Sequence, residues 1–296
     1  MTQQENKALN SLLDSYDQLG IINRANQTQF PSQQPIKALL DLLKELLFPG
    51  YFGQEVLKDS DLSAVTKDRL SHLQVSLNRE ITRSFKWMKQ DKRPAPSTKE
   101  SPDQITQQLI NSLANLRTQL KQDAEAMLAG DPAATSITEV ILSYPGFQAI
   151  LVHRIAHFLY QHQVPLIPRL MSEIIHSETG IDIHPGAQIG SYFCIDHGTG
   201  LVIGETAVIG NHVKLYQGVT LGAFSVSKSG QDQKRHPSIH DHVTIYARST
   251  ILGGNTIIGE HSTIGGNVWL TESIPAHSKI YVNFKSNIIK HAPDAE

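Results

Sequence analysis

The spacing of apolar residues changes character once along this chain. In the first half it follows the helical period. The segment IKALLDLLKELLF, residues 36–48, places Ile36, Leu39, Leu40, Leu43, Leu46 and Leu47 on one stripe, and Pro49-Gly50 ends it. Ser101, Pro102 and Gln104 supply the N-cap, first and third positions of another helix. On it Ile105, Leu109, Leu113, Leu116 and Leu120 keep helical spacing. Ser136 and Glu139 form a capping box that opens ITEVILSY. Pro145-Gly146 breaks the chain before the helical run FQAILVHRIAHFLYQH, and Pro168 opens a last short helix through Ile175. Residues 91–102, DKRPAPSTKESP, read as a linker.

From Ile183 the period becomes six. Aliphatic residues fall at 183, 189 and 195, at 203, 209, 215 and 221, at 239, 245 and 251, and at 258, 264 and 270. Glycine follows directly at 190, 204, 210, 222, 259 and 265. This rhythm suits neither an α-helix nor a hairpin sheet. It predicts a left-handed parallel β-helix, three hexapeptides to a triangular coil, with the aliphatic pointing inward and glycine serving the corners. The expected class is α+β: an α-helical domain over 1–178, a β-helix over 179–283 and a tail over 284–296. Coils bury their faces only against neighbours, so a helical cap at one end is expected.

The rhythm breaks in three places. The step from 195 to 203 is eight residues, and that from 251 to 258 is seven, which predicts a bulge. The step from 221 to 239 is eighteen, and the polar AFSVSKSGQDQKRHP there predicts a loop over 223–238 that leaves the coil. A regular coil surface is flat, so chemistry is expected at such interruptions.

Composition narrows the classes. A formal net charge of -2 gives no field for nucleic acid or a membrane surface, and no apolar run is long enough to span a bilayer. The N-terminus lacks the order of a secretory signal, and Cys194 is the single cysteine, so a reducing, cytoplasmic setting is expected. The 14 histidines are numerous and crowd the region from His176 to His242.

His197 lies in the eight-residue step, between Asp196 and the turn Gly198-Thr199-Gly200. Asp182 stands fifteen residues earlier, on the adjacent coil near the same corner. A carboxylate that holds one ring nitrogen leaves the other free as a general base, and two carboxylates favour that role over a simple turn cap. Arg235-His236 closes the polar loop. The arginine fork suits a carboxylate, although a solvated loop charge is the commoner role. Asp131, in AGDPAAT, reads by itself as a turn or cap residue. Cys194 precedes an inward aliphatic and reads as a buried, inert thiol. His153 and His157, four apart on a helix, lack a third ligand and read as packing residues; no metal site is expected. Prisms of this architecture form concave clefts where they meet, which suggests a trimer.

The ordered series DIHPGAQIG (182–190), DHGTGLVIGETAVIG (196–210), TLG (220–222) and RHP (235–237) resembles the serine O-acetyltransferases. The segment DPAAT…YPGFQAILVHRIAHFLY (131–160) is similar to that family's last N-terminal helices. The resemblance implies acetyl transfer from acetyl-CoA to L-serine, on the route to cysteine, with no permanently bound cofactor. It implies His197 as base with Asp182 orienting it, Asp131 and Asp196 near the serine ammonium, and Arg235 and His236 near its carboxylate. It implies a site between subunits of a homotrimer, possible pairing of trimers, and acetyl-CoA near Gly222, Ala223, Tyr246 and Ala247. Leu39, Leu43, Leu46, Leu109 and Leu113 are the expected pairing surface.

The series departs from the family in a longer loop between TLG and RHP, in TLGA for TLGG, and in a last coil reading IYVNFKSNIIK. The sequence closes on PDAE rather than isoleucine, so docking into cysteine synthase is not expected. The same chemistry on another hydroxyl acceptor, such as homoserine, is the nearest rival. A zinc lyase of the γ-carbonic-anhydrase type, with His197, His236 and His240 as ligands, and a non-catalytic scaffold are more distant ones.

Overall fold

A computed structural model describes residues 2–19, 22, 29–53, 56–91, 99–224 and 233–283. Most of the polar loop, most of the linker and all of the C-terminal tail fall outside the described residues, and so do the sequence features read there.

Among the described residues seven α-helices come first: α1 (Gln3–Gln18), α2 (Gln33–Leu47), α3 (Leu62–Gln90), α4 (Pro102–Gly130), α5 (Ile137–Ser143), α6 (Pro145–Gln161) and α7 (Ile167–Thr179). The start of α4 is the expected one. Ser101 Oγ accepts from the Gln104 amide and the Gln104 side chain accepts from the Ser101 amide. The box at α5 is only half formed. Ser136 Oγ accepts from the Glu139 amide, but the Glu139 carboxylate turns to the amide and hydroxyl of Thr135. Pro145 starts α6 as its first residue, where its missing N–H removes no hydrogen bond. The 29-residue α3 is a helix that the apolar spacing did not mark. Its inward stripe mixes Leu73, Leu77 and Ile81 with buried Ser76, Glu80 and Ser84, so its pattern is weak in sequence.

Leu39, Leu43, Leu109 and Leu113 are buried and Leu46 half-buried, packed in the chain's own core. They therefore cannot form the trimer-pairing surface expected of them. The exposed apolar side chains of the helical region include Leu9, Leu12, Leu13 and Tyr16 on α1, which buries none of its residues.

Beyond Gly180 the chain winds as a parallel solenoid of about five turns. The first sheet holds β1 (Asp182–Ile183), β4 (Val202–Ile203), β7 (Thr220–Gly222), β10 (Thr250–Leu252) and β13 (Trp269–Leu270). The second holds β2 (Gln188–Ile189), β5 (Val208–Ile209), β8 (Ser238–Ile239) and β11 (Ile257–Ile258). The third holds β3 (Cys194–Asp196), β6 (Lys214–Tyr216), β9 (Thr244–Ile245), β12 (Thr263–Ile264) and β14 (Lys279–Ile280). Strand register stacks the six-residue aliphatics in columns: Ile183, Ile203, Leu221, Ile251 and Leu270 form the first. Each column is buried against its neighbours, which is how two-residue strands are held.

The corners work differently from expectation. The glycines that follow the aliphatics do not take a left-handed φ; they are small because neighbouring coils press on them. A Cβ on Gly204 would lie 1.9 Å from His236 Cδ2. The left-handed positions are mostly filled by larger residues. On the edge between the second and third sheets these are Tyr192, His212, His242, His261 and His277, with φ between 56 and 60°. Their rings stack face to face, 4.4–5.1 Å between centroids, which offsets part of the backbone strain and accounts for many of the histidines. The extra residue at 251–258 sits in a corner at Gly253, φ 104°, not in a strand ladder.

A buried ion pair ties the helices to the first coil. Arg154 on α6 pairs with both oxygens of Asp123 on α4, at 2.6 and 2.9 Å, and donates to the carbonyls of Ile189 and Gly190. His157 Nδ1 meets the Pro185 carbonyl at 2.8 Å and His153 is fully buried, so this pair packs the helices onto the coil.

Candidate active site

The candidate residues gather on two of the solenoid's three edges. One, the base edge, is the turn from the third sheet into the first. There β3 directs Ile195 inward and Asp196 outward, and the next residues take left-handed φ: His197 at 59°, Gly198 at 89° and Gly200 at 79°. Gly198 has no room for a side chain, because a Cβ would lie 2.6 Å from Ile181. This turn pushes the His197 ring outward, 71% exposed, with Nε2 3.7 Å from Asp196 Oδ1. Asp196 Oδ2 is held by Lys214 Nζ at 2.8 Å.

Lys214 also donates to the carbonyl of Gly130, the last residue of α4, at 2.6 Å. Asp131 follows. Its oxygens accept from the Ala133 amide at 2.8 Å and the Tyr144 hydroxyl at 2.5 Å. The Tyr144 hydrogen bond holds this carboxyl below the usual range, and the same bond, with burial and the Asp131 charge behind it, pushes the Tyr144 hydroxyl up to about 12. Lys214 and His197 both act on Asp131 electrostatically, so it stands at the base edge as well as in a turn.

Asp182 opens β1 on the preceding coil, and its amide donates to Leu201 just past the same turn. Its carboxylate makes no hydrogen bond to His197, and it acts on His184. The carboxylate nearest the His197 ring is Asp196. Cys194 is buried beneath Gly130, and burial pushes its thiol up to about 12, which makes it a poor nucleophile. Tyr246 and Ala247 lie on the base edge two coils on, Tyr246 stacked on Tyr216 at 4.8 Å.

The second or clamp edge is the turn from the first sheet into the second. Arg235 pairs with Glu205, whose other oxygen accepts from Tyr160 at 2.6 Å. Burial opposes the Glu205 charge, but the bonds from Tyr160 and Arg235 outweigh it and keep the carboxyl below its usual range.

His236 is 8% exposed. Its Nδ1 accepts from the Thr206 amide at 3.1 Å, so the neutral ring carries its proton on Nε2, over Gly204. Burial, then the charges of Arg235 and Lys234, push it down to about 4, so it is neutral at pH 7. Gly222 and Ala223 lie on this edge. Beside them is a depression of about 450 Å³ lined by Phe224, Lys234, Gly253, Asn255 and Glu272.

A single chain therefore does not unite the predicted set. His197, Asp196 and Asp131 stand together, with Asp182 on the coil before, and Arg235 and His236 stand on another edge. His236 and His197 do not meet, and among the described residues no three His, Cys, Asp or Glu side chains converge as metal ligands would. Lys214, Glu205, Tyr144, Tyr160 and Thr206 were not foreseen. Their only signal was a charged or polar residue at an outward coil position or a helix end.

Comparison with known proteins identifies the family. A family model described as "Serine acetyltransferase, N-terminal" matches residues 36–151. A serine acetyltransferase of Synechococcus elongatus is 45% identical over 260 residues, 84% of this chain and 81% of its own length. The chain belongs to the serine acetyltransferase family. Among solved structures, Entamoeba histolytica serine acetyltransferase 1 in complex with L-cysteine is 35% identical, with a TM-score of 0.69 over 82% of this chain and 86% of its own. The Neisseria gonorrhoeae serine acetyltransferase in complex with serine is 28% identical, with a TM-score of 0.55 over 84% and 97%. This chain is thus an acyltransferase of a family that uses acetyl-CoA and serine. Among the described residues no helix is long and apolar enough to cross a membrane.

Proposed function

We propose that this serine acetyltransferase acts as a homotrimer in which the base edge of one subunit faces the clamp edge of the next, and that the cleft between them acetylates L-serine. The observation that carries this reading is the division of one complementary set of groups between two edges of the same sheet. Anionic groups and an exposed imidazole occupy one edge; a guanidinium and a neutral imidazole occupy the other. An amino acid, with its opposite charges, suits the space between.

In this reading the serine ammonium meets Asp131 and Asp196, and its carboxylate meets Arg235 of the adjoining subunit. The exposed His197 ring takes the hydroxyl proton as the serine oxygen attacks the thioester carbonyl, while Asp196, and Asp182 from the coil before, favour the imidazolium that forms. The oxyanion of the tetrahedral species accepts from His236 Nε2–H or a backbone amide, a donor worth about 3 kcal/mol. Collapse breaks the C–S bond, and the CoA thiolate recovers the proton from His197. No acyl-enzyme forms, which suits the buried Cys194. Acetyl-CoA lies along the clamp edge past Gly222, Ala223 and the Phe224–Lys234 depression, with Tyr246 and Ala247 contributed across the cleft.

The test is thiol release from acetyl-CoA with L-serine, with L-homoserine and with no acceptor, for the wild-type chain and His197→Ala. Serine-dependent release that disappears in the variant supports the reading. Release with homoserine alone transfers the chemistry to another acceptor, and release with neither acceptor overturns it.

A further inference from the structure

We propose that Lys214 is a positioning residue for the amino-acid acceptor, setting the spacing of Asp131 and Asp196 across the base edge. This rests on the reading in which those two carboxylates receive the serine ammonium.

Lys214 points outward from β6, one coil beyond β3, in register with Cys194. Its ammonium has three N–H donors. One meets Asp196 Oδ2 at 2.8 Å, one the Gly130 carbonyl at 2.6 Å, and the Tyr216 ring centroid lies 4.5 Å away. With 17% of its side chain exposed it is largely enclosed. Burial disfavours its charge, but the bonds to Asp196 and Tyr216 outweigh that and hold it above the ordinary lysine value.

The two oxygens belong to different parts of the molecule. Gly130 closes α4, where the last carbonyls lack intrahelical partners and a cation is favoured. Asp131 is the next residue, its own oxygens fixed by Ala133 and Tyr144. Asp196 lies on the solenoid, and the bond to Oδ2 leaves Oδ1 turned toward His197. One ammonium therefore clamps the end of a helix to a coil, with a substrate carboxylate on each side. The titratable groups facing it are Asp196 and Cys194 from β3, Tyr216 on its own strand and Asp131 behind α4; its partner on β9, Thr244, is uncharged.

The test is steady-state acetyl transfer by the full chain carrying Lys214→Met or Lys214→Arg. Lys214→Met is expected to raise the KM for serine on the order of tenfold, through displaced carboxylates, and to leave that for acetyl-CoA within about twofold. Lys214→Arg, which keeps the charge, should fall between the wild type and Lys214→Met in serine KM. A role in stability alone would lower the melting temperature and leave the ratio of the two KM values unmoved. Equal rises in both KM values, or an unaltered serine KM, overturn the proposal while the wild type still turns over serine. A wild type inert toward serine overturns the underlying reading and this proposal with it. If Lys214→Met does not fold, Lys214→Arg decides alone: a rise confined to serine supports the proposal, and an equal rise or none overturns it.

Discussion

His197 and His236 belong to the same sheet's two edges and share a side chain, yet their surroundings assign them opposite work. His197 sits in a left-handed turn with its ring exposed and a carboxylate nearby. His236 is buried, bonded through Nδ1 to Thr206 and pushed down to about 4. The exposed ring is able to take and return a proton. The buried one stays neutral and offers a fixed N–H. Environment, not residue type, divides base from donor. In the proposed reading the division makes one subunit insufficient, since acid–base chemistry and anion recognition stand at different corners.

The comparison predicts unequal consequences. The largest belongs to the base edge. His197→Ala should lower kcat by about 10²- to 10⁴-fold with the melting temperature unchanged, because the exposed ring packs against little. Arg235→Ala on the clamp edge should raise the KM for serine about tenfold, and more than that for acetyl-CoA. Equal effects on both substrates would remove the carboxylate role from Arg235.

The smallest effect concerns stability in acid. The His236 ring titrates near 6.5 in the unfolded chain and at about 4 in the folded one. Between those values the unfolded chain binds a proton that the folded chain refuses, so stability falls as pH drops from about 6.5 toward about 4. His236→Asn loses the Thr206 bonds and should melt lower than wild type near pH 8. The gap should narrow toward pH 4. Parallel melting curves would mean that His236 is not held neutral by its burial.

The two regions also differ in how much the sequence disclosed. The solenoid's inward columns were legible to the residue, though its corners were not, because every inward aliphatic from Ile183 to Leu270 serves a one-dimensional stack and a period of six survives in the sequence. The α3 helix was not, because Ser76, Glu80 and Ser84 interrupt its buried stripe. At the site, the residues in the breaks of the repeat, His197 and Arg235-His236, stood out for the same reason that they are proposed to act: a break makes a turn, and a turn gives a side chain somewhere to project. Lys214 and Glu205 occupy outward positions of unbroken hexapeptides, where polar residues are the rule, and only the three-dimensional contacts distinguish them. The leucines expected to join trimers failed because the helical period identifies a buried stripe without saying what buries it.

The most direct test of the split site is complementation between its halves. His197→Ala and Arg235→Ala chains, each inactive or nearly so at low serine, would be mixed under denaturing conditions and refolded together. In a cyclic trimer every mixed assembly contains one cleft built from the intact base edge of one chain and the intact clamp edge of the other. Random association at equal amounts should then restore about a quarter of wild-type activity. Recovery near that level is the predicted result. Activity no greater than the sum of the separately refolded variants would contradict a site shared between subunits.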